Sequence, residues 1–270
     1  MIGQERNKDT IFRWKLNRSI PRFIIINGVR GSGRLTLAKY IVNELNATGV
    51  ISGNKVDEVK ETLDNAYRVT TPTVYIFRDV YGMTVNAKNA LLKAVEEPPN
   101  KAYFIVTTES LSDIPDTIVS RGTVIHMSPY SPDELSQVTE DKLLLKYFRT
   151  IGEIEAYKDL DYKNLISEAE TLVFDALSSF VSQSGTKLLC ATSKLRSKES
   201  EEDKIDCNLF MTIFMSQITN YVLPISTLNI MNGYIRLYRN KSVNKKPLIE
   251  SMLIAMLRDV REHGYEIIAT

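Results

Sequence analysis

The chain has 270 residues, of which 43% are hydrophobic and 25% charged, and its 34 Lys and Arg against 33 Asp and Glu give a formal net charge of +1. This composition excludes a disordered or fibrous chain, and the balanced charge excludes a protein that binds polyanions through net charge alone. The length predicts about two domains.

The first half of the chain alternates short apolar runs with segments of helical periodicity. The apolar runs predict buried strands over residues 23–27, 73–77, 102–107 and 123–127, and the periodic segments predict helices over 34–46, 56–67 and 84–96. Strands separated by helices are typical of a parallel α/β sheet. We therefore predict an α/β domain over residues 1–130.

After Pro129 no β-rich run recurs and the remaining pattern is helical. Residues 131–193 predict a small helical domain. Residues 194–204 are almost wholly charged or small polar and predict a linker or a solvated helix end. Three apolar helical segments follow and predict a third, all-helical domain over residues 194–270; they cover 206–223, 227–239 and 247–262.

The cysteine content and hydropathy bear on location and metal binding. Cys190 and Cys207 are the only cysteines, and two cysteines can form neither a four-cysteine zinc site nor a disulfide framework. No apolar stretch approaches the ~18 residues that span a bilayer, and the first residues lack the apolar core of a signal peptide. We expect a cytoplasmic protein with free thiols, no metal and no membrane contact.

A glycine-rich loop joins the first predicted strand to the following helix, which is the context that a phosphate-binding loop requires. Gly28, Gly31 and Gly33 would let backbone N–H groups turn toward a phosphate, and the helix N-terminus adds partial positive charge. The standard pattern continues with Lys and then Ser or Thr, but Arg34 and Leu35 stand there. Arg34 can contact a phosphate as a planar fork, whereas Leu35 has no oxygen for magnesium.

The strand over residues 73–77 should lead into the second half of a nucleotide site, where an Asp holds magnesium and a Glu orients the attacking water. The chain has Arg78 and Asp79 there. The charge of Arg78 disfavours a metal ion, and Asp79 is shorter than the expected Glu. We therefore expect no hydrolysis, and the loop either binds ATP or ADP weakly, through its glycines, Arg34 and Thr36, or is a structural turn.

Several motifs follow one another in a fixed order and together resemble those of the clamp-loader branch of the AAA+ ATPases. They are the loop at 28–36, Val56–Lys60, Asn89–Pro99 (NALLKAVEEPP), Thr107-Thr108 and Ser120-Arg121-Gly122. The NALLKAVEEPP segment is the most specific, because the gamma and delta-prime subunits of bacterial DNA polymerase III carry a similar motif, and the whole chain resembles a bacterial or phage-type subunit of this kind. The resemblance implies a reduced AAA+ domain over 1–130, a helical lid over 131–193 and an oligomerising helical collar over 194–270.

Two departures from the family pattern narrow this resemblance. Arg34, Leu35, Arg78 and Asp79 replace the residues that motor subunits use, which places the chain on the side of delta-prime, a subunit without a working nucleotide site. Bacterial relatives insert a strand and a four-cysteine zinc module in the region that corresponds to residues 45–56. This region is short and lacks cysteine, so we predict that the module is deleted and that no zinc is bound.

The resemblance also implies roles for two single residues. Arg121 stands where the family has an arginine finger, which acts on the ATP site of the adjacent subunit and contributes about 10³–10⁵ in rate in such systems. Gly122 replaces the family's Cys and can change the aim of Arg121. The alternative is that Arg121 pairs with a carboxylate of its own chain, such as Asp116. Thr108 stands at the family's sensor position, with a strand-end hydrogen bond as the alternative.

The function implied by the resemblance is that of a non-hydrolysing, delta-prime-like subunit in a heteromeric ring that loads a sliding clamp on primed DNA. The implied partners are gamma- or tau-like motor subunits, a delta-like subunit, the sliding clamp and the polymerase, with DNA contacted indirectly. Two alternatives remain. One is a weakly active gamma-like motor subunit that uses Arg34 and Thr36 in a shifted register, and the other is a degenerate AAA+ scaffold with no role in replication.

Overall fold

A computed structural model describes residues 1–196, 205–238, 243–263 and 268–269 of the chain. The chain divides into two compact units, Met1–Ala156 and Tyr157–Thr270. This division differs from the boundaries predicted at residues 130 and 193, and the three-domain organisation stays a prediction. No helix in the described ranges combines the length and the apolar character needed to cross a membrane.

The first unit is built on a five-stranded parallel sheet, as the sequence predicts. Its strands are β1 (Phe23–Asn27), β2 (Thr48–Ser52), β3 (Thr73–Phe77), β4 (Ala102–Thr108) and β5 (Thr123–His126), in the order β2-β3-β4-β1-β5. Every residue of β3 is buried, because a parallel sheet is covered on both faces. The order places β4 between β1 and β3, so the carboxyl ends of these three strands meet at one edge.

Helices cover both faces of this sheet. They are α1 (Glu5–Leu16), α2 (Arg34–Glu44), α3 (Val56–Ala66), α4 (Val85–Glu96) and α5 (Asp116–Val119). The chain continues after β5 with α6 (Pro132–Ser136), α7 (Lys142–Tyr147) and α8 (Ile151–Tyr157). Alternate residues of β1 point to opposite faces. Phe23 and Ile25 therefore join a core with α3 and α4, whereas Ile24 and Ile26 join a second core with α1 and α2.

Two elements of the first unit have no counterpart in the sequence analysis. Helix α1 is rich in charged residues and buries only Ile11, so its apolar periodicity is weak. Strand β2 lies in the region 45–56, where no strand was predicted; the predicted loss of the zinc module concerns the same region, which has no cysteine. Four of the five β2 residues are exposed, because β2 is an edge strand, and an exposed strand has no apolar run to reveal it.

The second unit is mainly helical, as predicted. It contains α9 (Tyr162–Val181), α10 (Gly185–Ser193), α11 (Cys207–Gln217), α12 (Ile225–Tyr238) and α13 (Lys245–His263). Two short strands, β6 (Tyr221–Val222) and β7 (Ile268–Ala269), pair in antiparallel fashion. The helix predicted over residues 206–223 therefore ends before β6. Most of the predicted linker at 194–204 lies outside the described residues.

Candidate nucleotide site and arginine finger

The glycine-rich loop lies between β1 and α2, as predicted, and its glycines are required by its geometry. Gly31 and Gly33 have φ values of 79° and 86°, a left-handed conformation that side chains other than glycine rarely adopt. A Cβ at Gly28 would lie 2.5 Å from the Cβ of Met127 and 2.8 Å from Oγ of Ser32. The predicted loop residues therefore form one tight turn at the carboxyl edge of the sheet.

The outer side of the loop is held by residues that the sequence analysis did not identify. The backbone N–H of Gly152, in the first turn of α8, donates to the carbonyl of Gly31 at 3.1 Å. The hydroxyl of Tyr130 donates to the carbonyl of Ser32 at 3.0 Å. Burial raises the pKa of the Tyr130 hydroxyl, and nearby glutamates add to the shift, so this group stays protonated and can donate. These contacts fix the loop without a ligand.

The side chain of Arg34 turns back into the site. Its Nη2 lies 3.1 Å from Oδ1 of Asp79 and 3.5 Å from Oε1 of Glu109. Arg34 is buried in the first turn of α2, and Asp79 follows β3 in a left-handed conformation with φ 48°. The backbone N–H of Asp79 donates to Oγ1 of Thr107 at 2.9 Å, which holds this turn against the end of β4. One guanidinium thus lies beside two carboxylates.

Glu109 completes this cluster and was missed by the sequence analysis. It directly follows β4, whose carboxyl end lies between those of β1 and β3. Side chains that follow adjacent parallel strands come together at one edge of the sheet. The position immediately after each predicted strand is therefore the signal that would have identified Glu109.

The residues at this edge do not fit a magnesium ion. Magnesium requires several oxygen ligands, but Asp79 and Glu109 already face the guanidinium of Arg34, and Leu35 supplies no oxygen. The side chain of Arg78 is exposed, as is that of Thr36. Across the described ranges, no group of three His, Cys, Asp or Glu side chains is arranged to hold a metal ion.

The same edge keeps two donors that suit an anion. Nη1 of Arg34 and Oγ of Ser32 are buried and have no hydrogen-bond partner among the described residues. Buried donors without a partner are costly, and both belong to the loop or to the first turn of α2, where the helix dipole also favours negative charge. Both groups can donate to an anion, and the carboxylates of Asp79 and Glu109 lie at the same edge.

Thr108, the predicted sensor residue, lies fully buried at the end of β4. Its hydroxyl donates to the carbonyl of Ser110 at 2.8 Å and lies 3.3 Å from Oδ2 of Asp113. The preceding residue, Thr107, is the one that contacts Asp79. Thr108 therefore makes strand-end hydrogen bonds, and a sensor role for it stays a prediction.

Arg121 follows α5 and has contacts in its own chain. Its Nη2 lies 2.9 Å from Oε1 of Glu96, the last residue of α4, and its Nη1 donates to the carbonyl of Thr117 at 2.6 Å. The carboxylate in contact is thus Glu96 and not Asp116, the example we had considered. The side chains of Arg121 and Glu96 are 40% and 42% exposed, so the pair lies at the surface.

Gly122 lies beside the core of the sheet. A Cβ at this position would lie 2.7 Å from Cδ1 of Ile25 and 2.9 Å from Cε1 of Phe23. A side chain here would displace buried atoms of β1, which accounts physically for glycine at this position. The backbone that carries Arg121 is thereby packed directly against the side chains of β1.

Comparisons with known proteins find similarity to subunits of DNA polymerase III. The model of a family described as "DNA polymerase III, delta subunit" matches residues 40–131. The gamma subunit of Buchnera aphidicola subsp. Baizongia pistaciae is 28% identical over 166 residues, which is 50% of this chain and 45% of that protein. The tau subunit of Bacillus subtilis is 29% identical over 152 residues, which is 45% of this chain and 27% of that protein.

The chain spans about half or less of the length of these relatives. Among solved structures, a gamma subunit-related protein from Thermotoga maritima aligns with a TM-score of 0.52 and 16% sequence identity. The alignment covers 92% of this chain and 98% of that one. This likeness shows that the two chains share a fold.

Proposed function

We propose that the chain, which is similar to the gamma and tau subunits of DNA polymerase III, is a clamp-loader subunit of the AAA+ family, of the non-hydrolysing, delta-prime-like kind. It would assemble with motor subunits and a delta-like subunit in a cytoplasmic heteromeric ring. The ring would load a sliding clamp on primed DNA for the polymerase. Within it, this chain would supply Arg121 to the ATP site of its neighbour.

The observation that carries the non-hydrolysing role is the contact of Arg34 with Asp79 and Glu109. A magnesium ion at this edge would have to compete with a guanidinium that belongs to the chain and cannot diffuse away. Arginine stays protonated at any physiological pH, so this competition persists under all conditions in which a hydrolase would work. Without the metal, the charge that develops on a transferred phosphoryl group lacks its main stabilisation.

The role of Arg121 is supported by its place and its exposure. Its side chain lies at the surface, 40% exposed, so a neighbouring subunit can approach it. Its backbone is fixed against β1 by the close packing of Gly122, which gives the side chain a defined origin. An arginine finger needs this combination of a rigid base and an accessible guanidinium.

Measurements on the isolated chain test the first part of the proposal. We expect no magnesium-dependent ATP hydrolysis and, because of the free donors on Arg34 and Ser32, at most weak binding of ATP or ADP that does not require magnesium. Isothermal titration calorimetry with either nucleotide, in EDTA and in magnesium, measures the binding. Sustained turnover by the isolated chain would instead support the alternative, a gamma-like motor subunit. The donors on Arg34 and Ser32 and the similarity to gamma subunits favour this alternative.

Reconstitution tests the second part. Motor subunits from the same genome are combined with the wild-type chain, Arg121→Ala or Arg121→Lys, and their DNA-stimulated ATPase is measured. Arg121→Ala should lower the rate at the site it completes by about 10³-fold or more, and Arg121→Lys should restore little of it. Arg13→Ala, at an exposed arginine of α1, is the matched control. An unchanged rate with Arg121→Ala excludes the finger, and failure to co-purify with any clamp-loader subunit supports the scaffold alternative.

A further inference from the structure

Arg121, the proposed arginine finger, is bound to groups of its own chain, among them the carboxylate of Glu96. Each terminal nitrogen of the guanidinium has a partner in the same chain, since Nη2 contacts Glu96 and Nη1 donates to the carbonyl of Thr117. Thr117 is a neutral partner. Glu96 is charged, and while it stays in contact, the guanidinium and carboxylate together carry no net charge.

Charge is what an arginine finger contributes. Its catalytic effect comes from a positive charge placed beside oxygens that become more negative in the transition state. A guanidinium that keeps its carboxylate brings a neutral pair to those oxygens and places a second negative charge within a few ångströms of them. The phosphoryl group of a neighbour and the carboxylate of Glu96 are therefore competing ligands for one cation.

We propose that Glu96 is a positioning residue that competes with the neighbour's phosphoryl group for Arg121 and so limits the activity of the finger. This inference rests on the proposed role of Arg121. Glu96 is well placed for it, because it is the last residue of α4 and its position is set by a helix that is packed into the core through Leu91 and Val95. The backbone of Glu96 is thus held near Arg121, within reach of the guanidinium.

The size of the effect follows from the exposure of the pair. An ion pair at the surface contributes about 0.2–1 kcal/mol, which corresponds to a factor of about 1.4 to 5 in the population of released arginine. Glu96→Gln removes the charge and keeps the shape of the side chain. We expect it to raise the kcat of the neighbour's ATPase by about 1.4- to 5-fold. The KM for ATP should stay unchanged, because the finger acts in the transition state.

The experiment measures kcat and KM in the reconstituted complex with wild type, Glu96→Gln, Glu97→Gln, Arg121→Ala and the double variant Glu96→Gln with Arg121→Ala. Glu97 is the adjacent, exposed glutamate, so Glu97→Gln changes the net charge equally without touching the pair. The proposal predicts a higher kcat for Glu96→Gln alone, and no effect of Glu96→Gln when Arg121 is absent. A second readout is the reaction of Arg121 with phenylglyoxal in the isolated chain, followed by mass spectrometry, which should be faster in Glu96→Gln.

The outcomes separate this inference from the function on which it rests. If Arg121→Ala lowers the rate but Glu96→Gln leaves it unchanged or lowers it, the finger stands and the competition is refuted. If Glu97→Gln acts as Glu96→Gln does, the effect is one of general charge and the competition is again refuted. If Arg121→Ala has no effect on the rate, the finger itself is wrong and the competition falls with it.

Discussion

Replacing Arg34 by methionine removes the cation beside two carboxylates and keeps most of the apolar stem of the side chain. The side chain of Arg34 is 9% exposed, and those of Asp79 and Glu109 are 30% and 32% exposed. Removing one member of a fully buried pair costs about 3–5 kcal/mol, whereas a fully exposed pair contributes about 0–1 kcal/mol. The cluster lies between these limits, so we expect the free energy of unfolding of the first unit to fall by about 1–3 kcal/mol.

Urea titration measures this change, and the chain supplies its own probe. Trp14 is the single tryptophan and packs against a core of the first unit, so its fluorescence follows the unfolding of that unit. The matched control is Arg30→Met, at an exposed arginine of the same loop, which should change the free energy of unfolding by no more than about 0.5 kcal/mol. Equal stabilities of Arg34→Met and Arg30→Met would refute the argument from burial.

A double variant tests whether the loss comes from the ion pair. Asp79→Asn removes one charge, and asparagine tolerates the φ of 48° at this position. In the double variant Arg34→Met with Asp79→Asn, one of the two carboxylates that face position 34 is gone. Its destabilisation should therefore be smaller than the sum of the single effects by about 1–2 kcal/mol. Additive effects would mean that Arg34 stabilises the unit through packing alone.

Three further predictions concern other parts of the chain. Gly31→Ala should destabilise the first unit by about 1–3 kcal/mol, because the φ of 79° strains any side chain, and the fluorescence titration above measures it; an unchanged midpoint would contradict the loop geometry. The hydrogen bond from Thr227 lowers the pKa of Asp259 below that of an unfolded Asp. The ionised carboxylate therefore stabilises the second unit above about pH 4, where an unfolded Asp is also ionised. This stabilisation is lost as the pH falls through the pKa that Asp259 has in the folded chain. Asp259→Asn should therefore lower the urea midpoint at pH 7, followed by circular dichroism, and flatten its fall in acid; an identical acid profile would contradict the assignment. Burial, with a smaller effect of a nearby carboxylate, raises the pKa of Cys207 to about 11. Iodoacetamide at about pH 8 should therefore modify the exposed Cys190 and leave Cys207 unmodified, as mass spectrometry of the folded chain would show. Equal labelling of both cysteines would contradict the burial of Cys207.

The sequence predicted the parts of the fold whose physics is local. The apolar runs of β1 and β3 mark strands buried on both faces, and the glycine-rich loop lies between β1 and α2 as predicted. Strand β2 was not predicted from the sequence, because four of its five residues are exposed. An edge strand is stabilised mainly by its pairing with a neighbouring strand. The residue types of TGVIS do not indicate that pairing.

The contacts within the candidate site could not be predicted from the sequence either. Arg34 and Asp79 were both singled out, but their contact depends on the sheet order, in which β4 lies between the strands that carry them. Glu109 belongs to the same cluster through that order. The hydrogen bond from Tyr130 to the loop joins residues 98 positions apart in the sequence. Such partners are set by tertiary structure, and no spacing rule in the sequence contains them.

The charge cluster at the carboxyl edge also bears on how the chain changes over evolution. Arg34 carries one positive charge beside the two carboxylates of Asp79 and Glu109 and offsets the repulsion between them. Loss of Arg34 leaves the two carboxylates at this partly buried edge without their cation, so a substitution of Arg34 alone is disfavoured. Replacement of Arg34 among orthologues should therefore accompany replacement of Asp79 or Glu109, and a magnesium-binding site at this edge would require several coordinated replacements.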